Sequence, residues 1–424
     1  MDLATLFGVE FFSAATRHWV VWVMLAGLVV TLACLYTWIK LDGVVEEREL
    51  WITALIWASY CVVGICVLGN LSANRHIHEE RPSREWVVEG PTELKAYLAR
   101  NLPKDQAPQE IPTGLLVQSI EFAGAYNVKV SGYIWQRISK ELLDSGVEPG
   151  VILPEGDVVT FGEPAYRERN SANEEVIGWY FSTTLREPFN YDKYTLDRQY
   201  IWIRIWPKGF YKNVVLVPDY KGYPNITLKG TNNKSKAGFT GLDSSIVIER
   251  WNITDVFFSY VMTPYTTNFG IDAYSGQDGF PEMYYNISVK RDFADAFFAN
   301  IIPPTVVIVL AFMGLLLSNR VQEVFERHGT VTSAMLAYYG VLFFIPITSQ
   351  VAMRREINAQ GATFLDFFYF ASYVALLLVS LNSILINSSV QWKWLTWRDN
   401  LLPKVTFLPI VASLLLAAAI MIYY

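Results

Sequence analysis

Six apolar runs are divided two and four by a long polar segment, and no other feature constrains the fold of this chain as strongly. A bilayer core takes roughly 20 helical residues to cross. The runs cover 19–39, 50–69, 297–318, 330–351, 364–386 and 403–423. Trp19, Trp22, Trp38, Trp51, Trp392, Trp394, Trp397, Tyr423 and Tyr424 stand near their ends, where amphipathic rings favour the headgroup region. Composition agrees, since 52% of the 424 residues are hydrophobic and only 17% are charged. A net charge of −6 excludes nucleic acid as a partner and leaves membrane lipid as the first one. The expected fold class is a membrane protein with an all-β sandwich outside and an α-helical bundle of six spans (2 + 4) inside. The expected domains are a hairpin at 1–70, the sandwich at 71–296 and four helices at 297–424.

Asp2 and Glu10, with no basic stretch or small-residue cleavage site, predict a retained first helix rather than a signal peptide. An even number of spans puts both termini and the polar domain on defined sides. Arg320, Arg327, Lys393, Arg398 and Lys404 favour one face as cytoplasmic, while Arg354 and Arg355 count against it. Within the polar domain, Pro91–Leu102 reads as a short helix, apolar at Leu94, Tyr97, Leu98 and Leu102. The period then changes to two. Leu115–Phe122, Asn127–Ile138, Ile177–Leu185, Tyr200–Trp206, Ser245–Ile253, Phe257–Met262 and Met283–Arg291 read as strands punctuated by Gly, Pro, Asn and Asp. Many strands without a βαβ rhythm predict a sandwich or barrel. The three cysteines, Cys34, Cys61 and Cys66, lie in apolar runs, so no disulfide staples the polar domain.

Local motifs sharpen this outline. Phe189, Tyr194, Thr195, Leu196, Asp197 and Gln199 form a polar turn that feeds the alternating strand Tyr200–Ile205. Thr113–Phe122 and Asn127–Trp135 read as a strand pair, and Val289-Lys-Arg291 precedes Ile302-Pro303-Pro304 at the mouth of an apolar helix. In order and spacing these segments resemble the pentameric ligand-gated ion channels, over about 110–424. Thr195 and Leu196 stand where that family has proline and phenylalanine, and its flanking cysteine pair is absent, as in bacterial members. The hairpin at 1–70 lies outside the resemblance. The resemblance implies a homopentamer of identical subunits, passing permeant ions, with the large domain outside a plasma membrane of bacterial inner-membrane type. It also implies an unknown small-molecule ligand.

Glu326, Thr330, Ala334, Ala337, Val341, Phe344 and Thr348 recur at steps of three and four, which puts them on one helical face. As a pore lining in five copies they would form a carboxylate ring, hydroxyl and small-residue rings, and an apolar constriction at Val341 and Phe344. Close helix packing produces the same spacing. Pro346 is expected to kink or end that helix early. By the resemblance, Asp197 and Arg291 would couple outer domain to pore, with the connector carrying Arg354 and Arg355 as receiver. The alternative for Asp197 is a turn residue bonding its own backbone. Agonists in this family meet aromatic loops, which here carry Tyr265, Phe269, Tyr274 and Phe280, and Phe210, Tyr211 and Tyr220. The same rings also suit a sandwich core.

Other chemistry finds little support. His76 and His78 could hold a metal with Glu79 or Glu80, though solvated charge at a helix exit is the plainer reading, and Asp272, Asp278 and Glu282 could bind calcium but lack EF-hand spacing, so no metal is expected. No catalytic residues and no cofactor are expected, because nucleophile elbows and paired thiols are missing. Two functions remain in play. One is a cation-preferring ligand-gated channel; the other is a non-conducting membrane receptor or scaffold binding a ligand or partner protein.

Overall fold

The computed structural model describes residues 46–74, 86–88, 90–102, 108–157, 159–169, 174–223, 234–235, 238–272, 279–318, 325–357, 361–386, 392, 395 and 397–423, with side chains of 160, 234–235, 238–239 and 325–331 excepted. The described residues divide into a sheet unit, 86–190 and 198–292, and a helical unit, 46–74, 191–197 and 293–423. The seven residues Tyr191–Asp197 lie inside the polar segment in sequence and inside the helical unit in space. The first apolar run and the His76–Glu80 stretch fall outside the described residues.

The sheet unit is built on two sheets. One runs in the order β1 (Trp86–Val88), β12 (Trp251–Thr263), β13 (Phe280–Arg291), β8 (Arg198–Pro207), β4 (Val151–Ile152). The other runs β5 (Thr160–Phe161), β7 (Glu175–Arg186), β3 (Asn127–Ile138), β2 (Gln109–Phe122), β9 (Val214–Pro218), with β6 (Tyr166–Arg169) also pairing β7. The short strands β10 (Lys234–Ser235) and β11 (Gly238–Phe239) pair with each other. The long strands are β2, β3, β7, β8, β12 and β13. In β8 the alternation is strict, and Ile201, Ile203 and Ile205 point into the core. Val128, Val130, Ile134 and Ile138 of β3 and Ile177, Phe181 and Leu185 of β7 do the same from the other sheet. The sheets meet where Phe122 stacks on Trp251 at 4.9 Å and where Tyr260 Oη donates to the Leu216 carbonyl at 2.7 Å. Two sheets closing on one core have the layout of a β-sandwich.

Two expectations change here. Ser245–Ile253 is not one strand, because Ser245 N and Oγ turn back to Asp243 Oδ1 at 2.9 and 2.6 Å and Arg250 takes φ 62°. Pairing begins at Trp251 and continues into the expected Phe257–Met262 strand as far as Thr263. β9 (Val214–Pro218) is an additional strand, buried throughout and parallel to β2. The expected helix at Pro91 is present as α2, Pro91–Asn101, with Leu94, Tyr97 and Leu98 inward.

Five helices of the helical unit are long and apolar enough to cross a membrane. They are α1 (Glu47–Asn74), α4 (Phe293–Leu317), α5 (Phe325–Ile357), α6 (Phe364–Ile386) and α7 (Leu401–Tyr423); α3 is the short turn Lys140–Asp144 of the sheet unit. Val307 and Ala311 of α4, Tyr339 and Leu342 of α5, Leu376 of α6 and Val411 of α7 share one core. Gly314 lets α5 approach, because a Cβ there would lie 2.8 Å from Tyr339 Oη. Helix α1 lies along α7. Cys61 packs with Ala412 and Leu416, Leu50 with Leu401 and Val405, and Trp57 Nε1 donates to Ser413 Oγ at 2.9 Å.

Pro346 does not end α5, which runs on to Ile357. Proline in a helix interior costs about 3 kcal/mol. Burial of Tyr339, Leu342 and Met353 along the same side offsets that cost by holding both halves of the helix on the bundle.

Candidate functional site

The first site is a polar junction inside the helical unit, and two prolines create it. Pro303 and Pro304 carry no N–H, so the carbonyls one turn earlier lose their helical donors. The chain answers with a π turn at Phe297–Ile301, a geometry that recurs at functional positions. The freed Asn300 carbonyl accepts a hydrogen bond from Tyr369 Oη at 3.2 Å, and Asn300 Nδ2 donates to Tyr194 Oη at 3.1 Å. Tyr194, Asn300 and Tyr369 are all buried. Tyr194 belongs to the seven-residue loop that leaves the sheet unit after Asn190. Gln199 closes the neck of that loop: its Nε2 donates to the Asn190 carbonyl at 2.7 Å, and its Oε1 accepts from Asn190 N at 3.2 Å.

The same loop caps α6. Phe364 N, an orphan donor of the first helical turn, finds the Asp192 carbonyl at 3.1 Å. Beside it, Asp366 accepts from Thr363 N at 2.8 Å and Thr363 Oγ1 at 2.9 Å, a capping box with Asp in the usual Glu position. Arg354 of α5 closes a bidentate pair on Asp366, with Nε at 2.9 Å and NH2 at 2.6 Å, and its NH1 donates to the Gly361 carbonyl at 2.7 Å. Gln350 Nε2 adds a bond to Asp366 at 3.0 Å and its Oε1 accepts from Tyr373 Oη at 2.7 Å. Asp366 is 0% exposed, so its charge is balanced almost wholly by Arg354. The connector between α5 and α6 is thereby tied at both ends.

Among the expected coupling residues, Arg354 is thus a clamp across its own connector, and Arg355 is exposed. Asp197 is buried in the helical unit. Arg291 belongs to the sheet unit, where its guanidinium lies 4.1 Å from the centroid of Trp251. Sequence reasoning missed Asn300, Gln350 and Asp366. Thr363-x-x-Asp366 is a readable capping signal, and Asn300 could be flagged from the prolines that follow it.

The second site is an aromatic recess in the sheet unit. β8 brings Trp206 to its end, with Phe210 in the turn that follows, while the loop after β12 carries Tyr265 and Phe269. The rings meet edge to face: Trp206–Phe210 at 5.4 Å, Trp206–Tyr265 at 5.5 Å, Phe210–Phe269 at 5.3 Å and Tyr265–Phe269 at 5.5 Å. A shallow recess open to solvent is lined by Trp206, Phe210, Leu216, Tyr265, Phe280 and Glu282 among others. Tyr265 Oη donates to Glu282 Oε1 at 2.5 Å, which with burial pushes the phenol above its ordinary range. Arg204 NH1 reaches Glu282 Oε2 at 3.4 Å and its NH2 reaches Glu155 at 2.5 Å. Trp206 Nε1 is buried without a partner. The recess therefore offers apolar ring surface and an unspent N–H, while the Glu282 carboxylate is already engaged by Tyr265, Thr263, Tyr284 and Arg204.

Of the expected ligand residues, Tyr265, Phe269, Phe210 and Phe280 come together here, and Tyr211 packs on Phe210 at 5.9 Å. Tyr220 is not among the recess lining; burial first, and the Glu93 charge of α2 second, push its phenol above the ordinary range. Tyr274 lies outside the described residues. Sequence reasoning missed Trp206 and read Glu282 only as a calcium candidate.

A buried acid sits near this recess. Glu187 is 2% exposed, and its Oε1 accepts from Trp202 N at 3.1 Å while Oε2 has no partner. Burial lifts its carboxyl to about 9, the Trp202 bond opposes this, and nearby Glu155 adds to it. Its folded value lies above its unfolded value, so the folded state binds the proton more tightly. Stability from this group is complete below the ordinary carboxylate range and is lost as pH rises toward about 9. Glu187→Gln keeps the shape of the neutral acid, so its thermal unfolding should fall less steeply between pH 5 and pH 9 than that of the parent. Parallel slopes would show that Glu187 is not protonated in the fold.

The expected pore residues distribute as follows. Ala334, Ala337, Val341, Phe344 and Thr348 are all exposed on one side of α5, opposite buried Tyr339, Leu342 and Pro346. Val341 is 66% and Phe344 67% exposed. Thr348 Oγ1 donates back to the Phe344 carbonyl at 2.8 Å. Glu326 and Thr330 lie on the α5 backbone, with side chains outside the described set. Among the described residues no cluster of His, Cys, Asp and Glu could hold a metal ion. No protein-family model matches the chain, and no curated protein matches it either.

Proposed function

We propose that this chain is a subunit of a ligand-gated, cation-preferring ion channel, a homopentamer in a plasma membrane with its sheet unit outside. The observation that carries the reading is a contrast between two exposed helix faces. Helices α1 and α5 are equally uncovered, with 17% of their most apolar windows buried against 50% for α6 and α7. On α1 the open face is mostly large and apolar, with Ile52, Leu55, Ile56, Tyr60, Val63 and Val67 outnumbering exposed Thr53, Ser59 and Asn70, as suits a lipid-facing surface. On α5 it includes Ser333, Ala334, Ala337, Gly340 and Thr348 beside Val341 and Phe344. Small and hydroxyl side chains suit neighbouring helices or water better than lipid tails. Copies of α5 around an axis would satisfy that face, with Val341 and Phe344 as a constriction that gates by dewetting.

The aromatic recess supports a ligand function. Ring faces with a carboxylate nearby attract organic cations. The polar junction supports coupling, since a shift of Tyr191–Asp197 reaches α4 through Asn300 and α6 through Phe364. A non-conducting receptor is the second reading, favoured by the bulk of Phe344 and Val341, which lipid would also accept. Recordings from purified protein in liposomes separate the two. In a conducting protein, Glu326→Arg should lower the cation-to-anion permeability ratio, and an unchanged ratio would remove Glu326 from the pore mouth.

A further inference from the structure

Leu196 lies near the end of the seven-residue loop, and its surroundings involve α1, a helix that the resemblance leaves out. It packs into an apolar cluster made by Ile65 and Leu68 of α1, Phe364 and Phe367 of α6, and Ala418, Ala419, Ile422 and Tyr423 of α7. Gly69 of α1 is the closest approach: a Cβ built there would stand 3.1 Å from Leu196 Cδ1. Contacts that tight are rarely tolerated without a shift of the neighbour, so the absence of a side chain at Gly69 is what lets leucine seat. Helix α1 is itself fixed along α7 by Trp57–Ser413 and by the Leu50 and Cys61 contacts. Asp192 and Tyr194 of the loop are held by polar bonds to α6 and α4, and Leu196 is its apolar anchor.

We infer that α1 is an accessory control element whose Gly69 surface seats Leu196, so that the position of this helix sets the position of the loop Tyr191–Asp197. In energetic terms, burial of a leucine side chain is gained only while α1 and α7 keep their register. Anything that moves α1 against α7, such as a partner helix or a change of bilayer thickness, alters that burial and biases the loop. The inference rests on the channel reading only for its consequence in gating; the seating itself is independent of conduction.

The test is a size swap in the full chain, reconstituted in nanodiscs and followed by amide hydrogen exchange. Gly69→Leu should lift Leu196 from its seat and Leu196→Ala should empty it. Each should speed exchange across 191–197 by about tenfold while β3 stays protected. The double variant, Gly69→Leu with Leu196→Ala, should restore protection, because the new side chain fills the vacated space. If Gly69→Leu does not fold, Gly69→Ala against Leu196→Ala carries the same comparison with smaller shifts. Unchanged exchange in the single variants, or strictly additive effects in the double, would overturn the proposal. In liposomes the swap should also return ligand-independent opening toward the parent level. Rescue of protection in a protein that never conducts would keep this inference and sink the channel reading. Conduction without rescue would do the opposite.

Discussion

Asp366→Ala should destabilise the helical unit by roughly 3–5 kcal/mol, the usual penalty for breaking a buried ion pair from one side. The carboxylate is fully buried and accepts from Arg354, Gln350 and Thr363, so its loss leaves several donors unmatched at once. Arg354 is 34% exposed and can turn partly to solvent, which places the loss toward the lower end of that range. Asp366→Asn keeps most of the acceptor geometry and should lose less. Thermal unfolding in detergent measures both. Because Phe364 is capped by the loop carbonyl of Asp192, the channel reading adds that Asp366→Ala should slow or abolish ligand-evoked opening. An unfolding temperature indistinguishable from the parent would mean that the junction is not a clamp.

On the channel reading proposed above, Phe344→Ala should produce ligand-independent conduction. Removing an apolar ring that narrows a conduit lets water, and then ions, enter the closed state. A shift of the closed–open balance by on the order of 1–3 kcal/mol is a reasonable expectation for such a change. Leu342→Ala is the matched control. Leu342 is 4% exposed and faces the bundle, so its truncation should lower stability without opening the pore. Equal leak from both variants would place the effect in general loosening, and no leak from Phe344→Ala would place that ring against lipid or a packed helix.

Much of the fold is legible where one periodicity dominates. The span expected at 364–386 is the helix observed, because an unbroken apolar run flanked by Thr363 and Asp366 marks its own start. β3 is likewise read end to end from its alternation. β9 is not, because Val214–Val217 is buried on both faces and shows no alternation. The early stop expected at Pro346 fails for another reason. Backbone preference is local, whereas the burial that carries α5 past it comes from α4 and α6. The candidate sites divide the same way. Ring-bearing loops point to the recess, but Trp206 at the end of the alternating strand carries no signal that sets it apart from its neighbours. Arg354 was visible as a charge beside a span, yet its partner Asp366 looked like one more residue of the next apolar run. Gly69 gave no signal at all, since a glycine that matters through a neighbour's side chain cannot be told from one that does not.

The account stands on α5 facing a shared axis in an assembly of identical chains. Electron microscopy of the detergent-solubilised protein measures this directly. The expected image has fivefold symmetry, with the Ala334–Thr348 face of α5 nearest a central conduit. Twofold or threefold particles, or fivefold particles in which α5 turns that face away from the axis, would contradict it.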